Sequence, residues 1–301
     1  NYIGIMPSGQ VVTNAAFGIG VWNSTNITID NGNKISGNGQ RGISLSPDDS
    51  NVTIKGNYIG AGVDGKTAGV GNPIGIGLGG AADVTVGGAN AGDRNIISGN
   101  NTNTNWGYGG IVGSTSGGVS KIMGNYIGLD VDGNPLPNTT GLILEGGSIQ
   151  LGGSNPGEGN VISGNNQAMS WDTNDGKTRY IYGNIIGLKP DGETPAPNSK
   201  VGDWVSLDLR GSSPFIIGGP NAGEGNIISG NNAGIVFIAV SDVKFQGNKV
   251  GVTKSGAAAG NYGDGGRAGI DIRIPTGYPG NSNVTIGGAT TAEGNEIANA
   301  G

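Results

Sequence analysis

The sequence predicts an all-β fold, a right-handed parallel β-helix of about nine coils with three short strands in each. Three observations carry this. First, a six-residue phrase recurs from end to end: Asn33-Lys34-Ile35-Ser36-Gly37-Asn38, Asn95-Ile96-Ile97-Ser98-Gly99-Asn100, Asn160-Val161-Ile162-Ser163-Gly164-Asn165 and Asn226-Ile227-Ile228-Ser229-Gly230-Asn231. A degraded copy, Asn295-Glu296-Ile297-Ala298-Asn299, follows, and the intervals are 62, 65, 66 and 69 residues. Second, a shorter phrase lies between the copies, as Gly56-Asn57-Tyr58-Ile59-Gly60 and at 124–128, 183–187 and 247–251. Third, 65 Gly and 13 Pro make up about a quarter of the 301 residues. That level points to disorder when no period accompanies it, but here the aliphatic residues follow the period.

Each half-period divides into three segments. The first follows a glycine, as in Gly18-Ile19-Gly20-Val21, Gly42-Ile43-Ser44-Leu45, Gly75-Ile76-Gly77-Leu78, Gly141-Leu142-Ile143-Leu144 and Gly269-Ile270-Asp271-Ile272. The second alternates, as in Ile27-Thr28-Ile29, Val52-Thr53-Ile54, Val84-Thr85-Val86, Ile149-Gln150-Leu151, Phe215-Ile216-Ile217 and Val284-Thr285-Ile286. The third is the asparagine phrase, centred on Ile35, Ile59, Ile97, Ile127, Ile162, Ile186, Ile228 and Val250. Alternation with one apolar face means half-buried strands. Three such strands in roughly 32 residues wrap once around an axis and stack on the next wrap, at ~4.8 Å per wrap, giving a rod on the order of 43 Å long. The whole chain, 1–301, is read as one such domain.

The Gly-Asn pairs belong at corners, because both residues tolerate positive φ. An asparagine at one corner of every wrap is expected to stack into a ladder of side-chain amides, with Asn38, Asn57, Asn100, Asn125, Asn165, Asn184, Asn231 and Asn248 as its members. The shorter phrase leads into an excursion containing Asp64-Gly65, Asp132-Gly133, Asp191-Gly192 or Ser255-Gly256. These insertions are expected to project from one edge of every second wrap, where binding loops on solenoids are common.

Composition excludes several functions. Net charge is −6 with a pI near 4.6 and no basic stripe, which argues against nucleic acid. No apolar run approaches the ~18 to 20 residues of a membrane span. The chain has no Cys and no His, so disulfides, thiolate sites, His-based triads and the commonest metal ligand are absent.

Together, Gly-Asn-Tyr-Ile-Gly followed by Asp-Gly, then Ile-Gly-Gly, then the Ser-Gly-Asn phrase resemble the right-handed parallel β-helix repeats of large secreted or surface-attached bacterial proteins. The resemblance covers the whole chain. It implies an extracellular, adhesin-like or structural rod, often one portion of a very long polypeptide. The same fold class contains pectate-lyase-like enzymes, so the fold alone leaves a polysaccharide-acting lyase or glycoside hydrolase, or a carbohydrate-binding module, as the alternative.

The most enzyme-like residues are Asp208 with Arg210 and Asp271 with Arg273, outward on strands whose Leu207, Leu209, Ile270 and Ile272 face inward. The two pairs are about two wraps apart, with only Val236 and Ile238 at the matching places between, so surface ion pairs are the expectation. Asp64, Asp130, Asp132 and Asp191 are the candidate ligands for Ca²⁺, the one cofactor considered, but no EF-hand or calcium-binding nonapeptide spacing occurs and Asp-Gly is a standard turn pair. Gly75-Ile76-Gly77-Leu78-Gly79-Gly80 spells G-x-G-x-x-G but leads into another strand rather than a helix, so no dinucleotide site is expected. Trp22, Trp106, Trp171 and Trp204 share no repeated position, and isolated packing roles are expected for them rather than a regular sugar-binding groove.

Neither terminal stretch reads as a cap. The expected partners are therefore the same chain end to end or further repeats of one polypeptide, with surface polysaccharide a further candidate.

Overall fold

The computed structural model describes residues 1–100, 108–198, 206–261, 269–274 and 280–298. The chain forms a right-handed parallel β-helix built of three sheets. The asparagine sheet has ten two-residue strands, from Tyr2–Ile3 and Lys34–Ile35 to Glu296–Ile297. The glycine-led sheet has nine strands, from Phe17–Gly20 to Ile270–Arg273, and the alternating sheet has nine, from Thr25–Ile29 to Ser282–Ile286. Each strand pairs in parallel with its counterpart one coil away, in unbroken order along all three sheets.

The inward rows are the ones the periodicity assigns. Ile35, Ile59, Ile97, Ile127, Ile162, Ile186, Ile228 and Val250 are all buried, and they share one core with Ile43, Ile76, Ile111, Leu142 and Leu207 of the glycine-led sheet. At the last described coil this row opens: Ile272, Ile286 and Ile297 occupy inward register positions, yet are 41%, 44% and 44% exposed. Three strands depart from the patterns read from sequence. Gln167–Asp172 carries Ala168 where the pattern has glycine. Ser120–Met123 and Arg179–Tyr182 put polar Ser120 and Arg179 at inward positions, which breaks the apolar alternation.

Both ends of the asparagine strands are held by amides, so the structure contains two ladders rather than one. In the first, Nδ2 of Asn1, Asn33, Asn57, Asn95, Asn125, Asn160, Asn184, Asn226 and Asn248 each donates to Oδ1 of the next member, at 2.7 to 3.1 Å, finishing on Asn295. In the second, Asn14, Asn38, Asn72, Asn100, Asn138, Asn165, Asn198 and Asn231 do the same toward Asn261, at 2.8 to 3.1 Å. The eight expected members divide evenly between the two. A middle rung such as Asn125 is fully satisfied. Its Oδ1 accepts from Nδ2 and the backbone N–H of Asn95, while its Nδ2 donates to Asn160 and to the carbonyls of Val86 and Met123. Full pairing is what permits amides to be buried at the corners of an apolar core.

The ladders also explain one glycine of the repeat. Gly60 has φ +90°, and a Cβ there would lie 2.3 Å from Oδ1 of Asn100 and 2.4 Å from the Ser98 carbonyl. Gly187 meets Asn231 and the Ser229 carbonyl in the same way, which fixes glycine at the end of the shorter phrase.

Candidate functional site

Three places bear on function: the excursions, the outer faces of the strands and one buried charged corner. The excursions do not project freely. Each folds back over the outer face of the asparagine sheet, so that Ala61 and Leu136 pack with Ile96, Tyr58 and Tyr126, and Leu129 and Ala196 pack with Val161, Tyr126 and Ile185. The serine of the six-residue phrase holds them there. Ser98 Oγ donates to the Leu129 carbonyl (2.6 Å) and accepts from the Gly128 N–H (3.1 Å), and Ser163 repeats this with Leu188 and Gly187. Ser36 accepts from Gly62, and Ser229 donates to Val252. Successive excursions also touch each other. Lys66 pairs with Asp132 (2.5 Å), Lys189 donates to Asn134 (2.9 Å), and Glu193 accepts from both N–H and Oγ of Ser255.

The four candidate calcium ligands belong to these turns. Asp64 accepts from the N–H groups of Lys66 and Thr67 and from the Thr67 hydroxyl. Although partial burial opposes it, those donors hold the Asp64 carboxyl below its usual range. Asp191 is lowered chiefly by the Thr194 N–H and hydroxyl, and by the Glu193 N–H. Asp130 accepts from the N–H groups of Asp132 and Asn134, and Asp132 pairs with Lys66. Each carboxylate thus closes its own turn or bridges to a lysine. Among the described residues no three Asp, Glu, Cys or His side chains gather as a metal site.

A second set of carboxylates is likewise structural. Glu158 accepts from N–H and Nδ2 of Asn155, Glu224 does the same with Asn221, Asp93 accepts from Asn90 and Lys55, and Glu293 accepts from Thr290. These close the corner after the Gly-Gly pairs at 87–88, 152–153, 218–219 and 287–288, in every second coil.

The glycine-led sheet carries the two Asp-Arg pairs on its outer face. Arg210 donates Nε to Asp208 (2.8 Å) and closes a second bond through Nη2, while Asp208 is only 3% exposed. Arg273 pairs with Asp271 at 3.5 Å. Register puts Val236 between the two aspartates and Ile238 between the two arginines, one coil from each. Val236 and Ile238 are themselves buried, in a small cluster with Ala239. The structure therefore does not bring the two pairs together, and an apolar coil separates them.

The buried charged group that sequence reading missed is Arg179. Its inward side chain is 0% exposed and bonds Asp175 (2.5 Å) and the Lys177 carbonyl. Burial pulls the Arg179 guanidinium down while Asp175 pushes it up. Burial of Asp175 is outweighed by the N–H groups of Gly147 and Lys177 and by Arg179, which hold its carboxyl well below the usual range. Beside it Trp171 packs edge-on to Phe215, at 5.6 Å between ring centroids. The signal available in the sequence was an arginine at an inward place of an alternating strand, four residues after an aspartate.

Trp171 has the packing role expected of it, and Trp106 and Trp204 lie outside the described residues. Trp22 does not. It is 57% exposed on the outer face of the glycine-led sheet, 5.9 Å from Phe17. A shallow pocket of about 320 Å³ lies between Pro220, Asn221, Lys249 and Ala292, but its one cation already pairs with Glu296 at 3.0 Å. Gly75 and Gly77 belong to one strand and lead by a turn into the next, Ala82–Gly87, so the glycine-rich spelling there opens no helix. No helix among the described residues is long and apolar enough to cross a membrane. Comparison with known proteins finds no matching family, no matching curated protein and no matching solved structure.

Proposed function

We propose that this chain serves as a structural or adhesive rod, a segment of an extracellular surface stalk or fibre. The observation that carries this reading is continuity. Two amide ladders and three parallel sheets run through every described coil without a break. Every carboxylate suggested for chemistry is committed locally, to a turn, a lysine or an arginine beside it. A rod of this kind resists shear because each coil is tied to the next by backbone and side-chain bonds acting in parallel. Extracellular placement follows from the resemblance of the repeats to bacterial surface β-helices.

The test against the enzymatic alternative is incubation with acidic and neutral polysaccharides, with and without Ca²⁺. The rod reading expects no new reducing ends and no unsaturated products. Turnover that is lost in Asp208→Ala or Asp271→Ala would overturn it.

A further inference from the structure

We infer that the outer face of the glycine-led sheet, in its first three coils, is a binding site for an acidic polysaccharide, with a pyranose ring stacked on Trp22 and a uronate carboxylate paired to Arg41. The inference concerns a surface that neither ladder uses, so it does not rest on the rod reading.

The indole of Trp22 lies over Gly20 on the outer side of the sheet. A Cβ on Gly20 would fall 1.7 Å from the Trp22 ring, so the ring rests against backbone where any side chain would lift it away. Gly20 meets the six-membered ring, and the residue is still 57% exposed. Phe17, 5.9 Å away and tilted by 46°, extends the same surface. An exposed indole of this kind matches the C–H face of a pyranose, because the ring quadrupole attracts polarised C–H bonds as it attracts cations.

Polar recognition comes from the next coil. Arg41 is the register partner of Phe17, and Ser44 that of Gly20. Arg41 donates to Ser44 Oγ (3.1 Å), and its guanidinium stands 5.9 Å from the Phe17 ring centroid. Its stem lies over Gly77 of the third coil, where a Cβ would come within 2.9 Å of Cδ and Nη1. Glycine under each large side chain therefore lays both down on one plane. Among the described residues no carboxylate pairs with Arg41, whereas Arg179, Arg210 and Arg273 each have an aspartate and Arg94 lies over Tyr126. An arginine without a carboxylate is locally complementary to an anionic group. The coil rise of ~4.8 Å is close to the length of one hexopyranose unit. A ring on Trp22 in the first coil thus places the next unit beside Arg41 in the second.

The experiment is calorimetric titration of the protein with oligogalacturonate, oligoalginate and hyaluronate oligosaccharides, with neutral dextran oligosaccharides as the comparison. Tryptophan fluorescence provides a second readout. Binding of at least one acidic oligosaccharide is expected, weakening as salt is raised. Trp22→Ala should weaken it at least tenfold. Arg41→Gln should weaken acidic binding severalfold and remove its salt dependence. Both variants should melt with the wild type, since neither side chain enters the core. The proposal is overturned if none of the acidic oligosaccharides binds at millimolar sugar, if Trp22→Ala binds as wild type does, or if dextran binds equally well and Arg41→Gln changes nothing. Loss of sugar binding would leave the rod reading standing, and sugar binding by a protein that forms no rod would contradict only the latter.

Discussion

Ile97 and Thr85 show how strictly position decides the weight of a residue in this fold. Ile97 is fully buried between Ile59 and Ile127 in register, so Ile97→Ala leaves a cavity that stacked coils cannot collapse, and it should cost ~2–5 kcal/mol. Thr85 sits on the opposite face, between Thr53 and Lys121, and Thr85→Ala should cost well under that. Urea unfolding of the two variants checks this, and equal losses would mean that the strands are displaced by one residue. Arg179 represents the opposite case, a cation at an inward place. Removing its partner strands the charge, so Asp175→Ala should lose about 3–5 kcal/mol, and Arg179→Met clearly less. The same pair sets a pH dependence. Because the Asp175 carboxyl titrates below its unfolded value, its contribution is complete above the ordinary carboxylate range and is lost as pH falls beneath it. Thermal melts from pH 7 downward should show a steeper acid loss for wild type than for the double variant Asp175→Asn with Arg179→Met.

The six-residue phrase is the element in which these roles meet. In Asn95-Ile96-Ile97-Ser98-Gly99-Asn100 the two asparagines are rungs of different ladders, and Ile97 faces the core. Ile96 faces outward beneath an excursion, and Ser98 anchors the next one. Asn125→Ala deletes a middle rung and orphans donors on Asn95 and an acceptor on Asn160, at about 1–3 kcal/mol for each orphaned group. Asn51→Ala removes an exposed bond to Asn26 and puts alanine at φ +53°, so its cost, about 1 kcal/mol, is backbone strain rather than a lost rung. Ser98→Ala should speed amide hydrogen exchange selectively in residues 129–136, with a stability loss of about 1–2 kcal/mol. Much of this element was legible from sequence. The spacing of Ile and Gly set strand and register, and Gly-Asn marked the corners. The second ladder was not legible, because its alternate members, Asn72, Asn138, Asn198 and Asn261, come after excursions of different length and share no phrase. The serine anchors were hidden for a related reason, since each holds a carbonyl or N–H of the following coil, some 25 to 30 residues on. Of the candidate sites, the sequence correctly separated the two Asp-Arg pairs. It could not show Trp22 lying on Gly20, because the direction of an exposed side chain is set by its rotamer and not by the strand alternation.

At the scale of the molecule, the ladders give the rod a direction. Every amide donates toward the C-terminal neighbour, so the rungs polarise one another in one sense along the axis, as hydrogen-bonded chains do. The core runs with them and opens at Ile272, Ile286 and Ile297, where the inward row meets solvent. Electron microscopy with fibre diffraction of material from the native source tests whether coils stack into a rod. The account predicts elongated rods with an axial repeat of ~4.8 Å, the spacing of successive coils. Compact, monodisperse particles of about 30 kDa from that source, the mass of this chain alone, would contradict it.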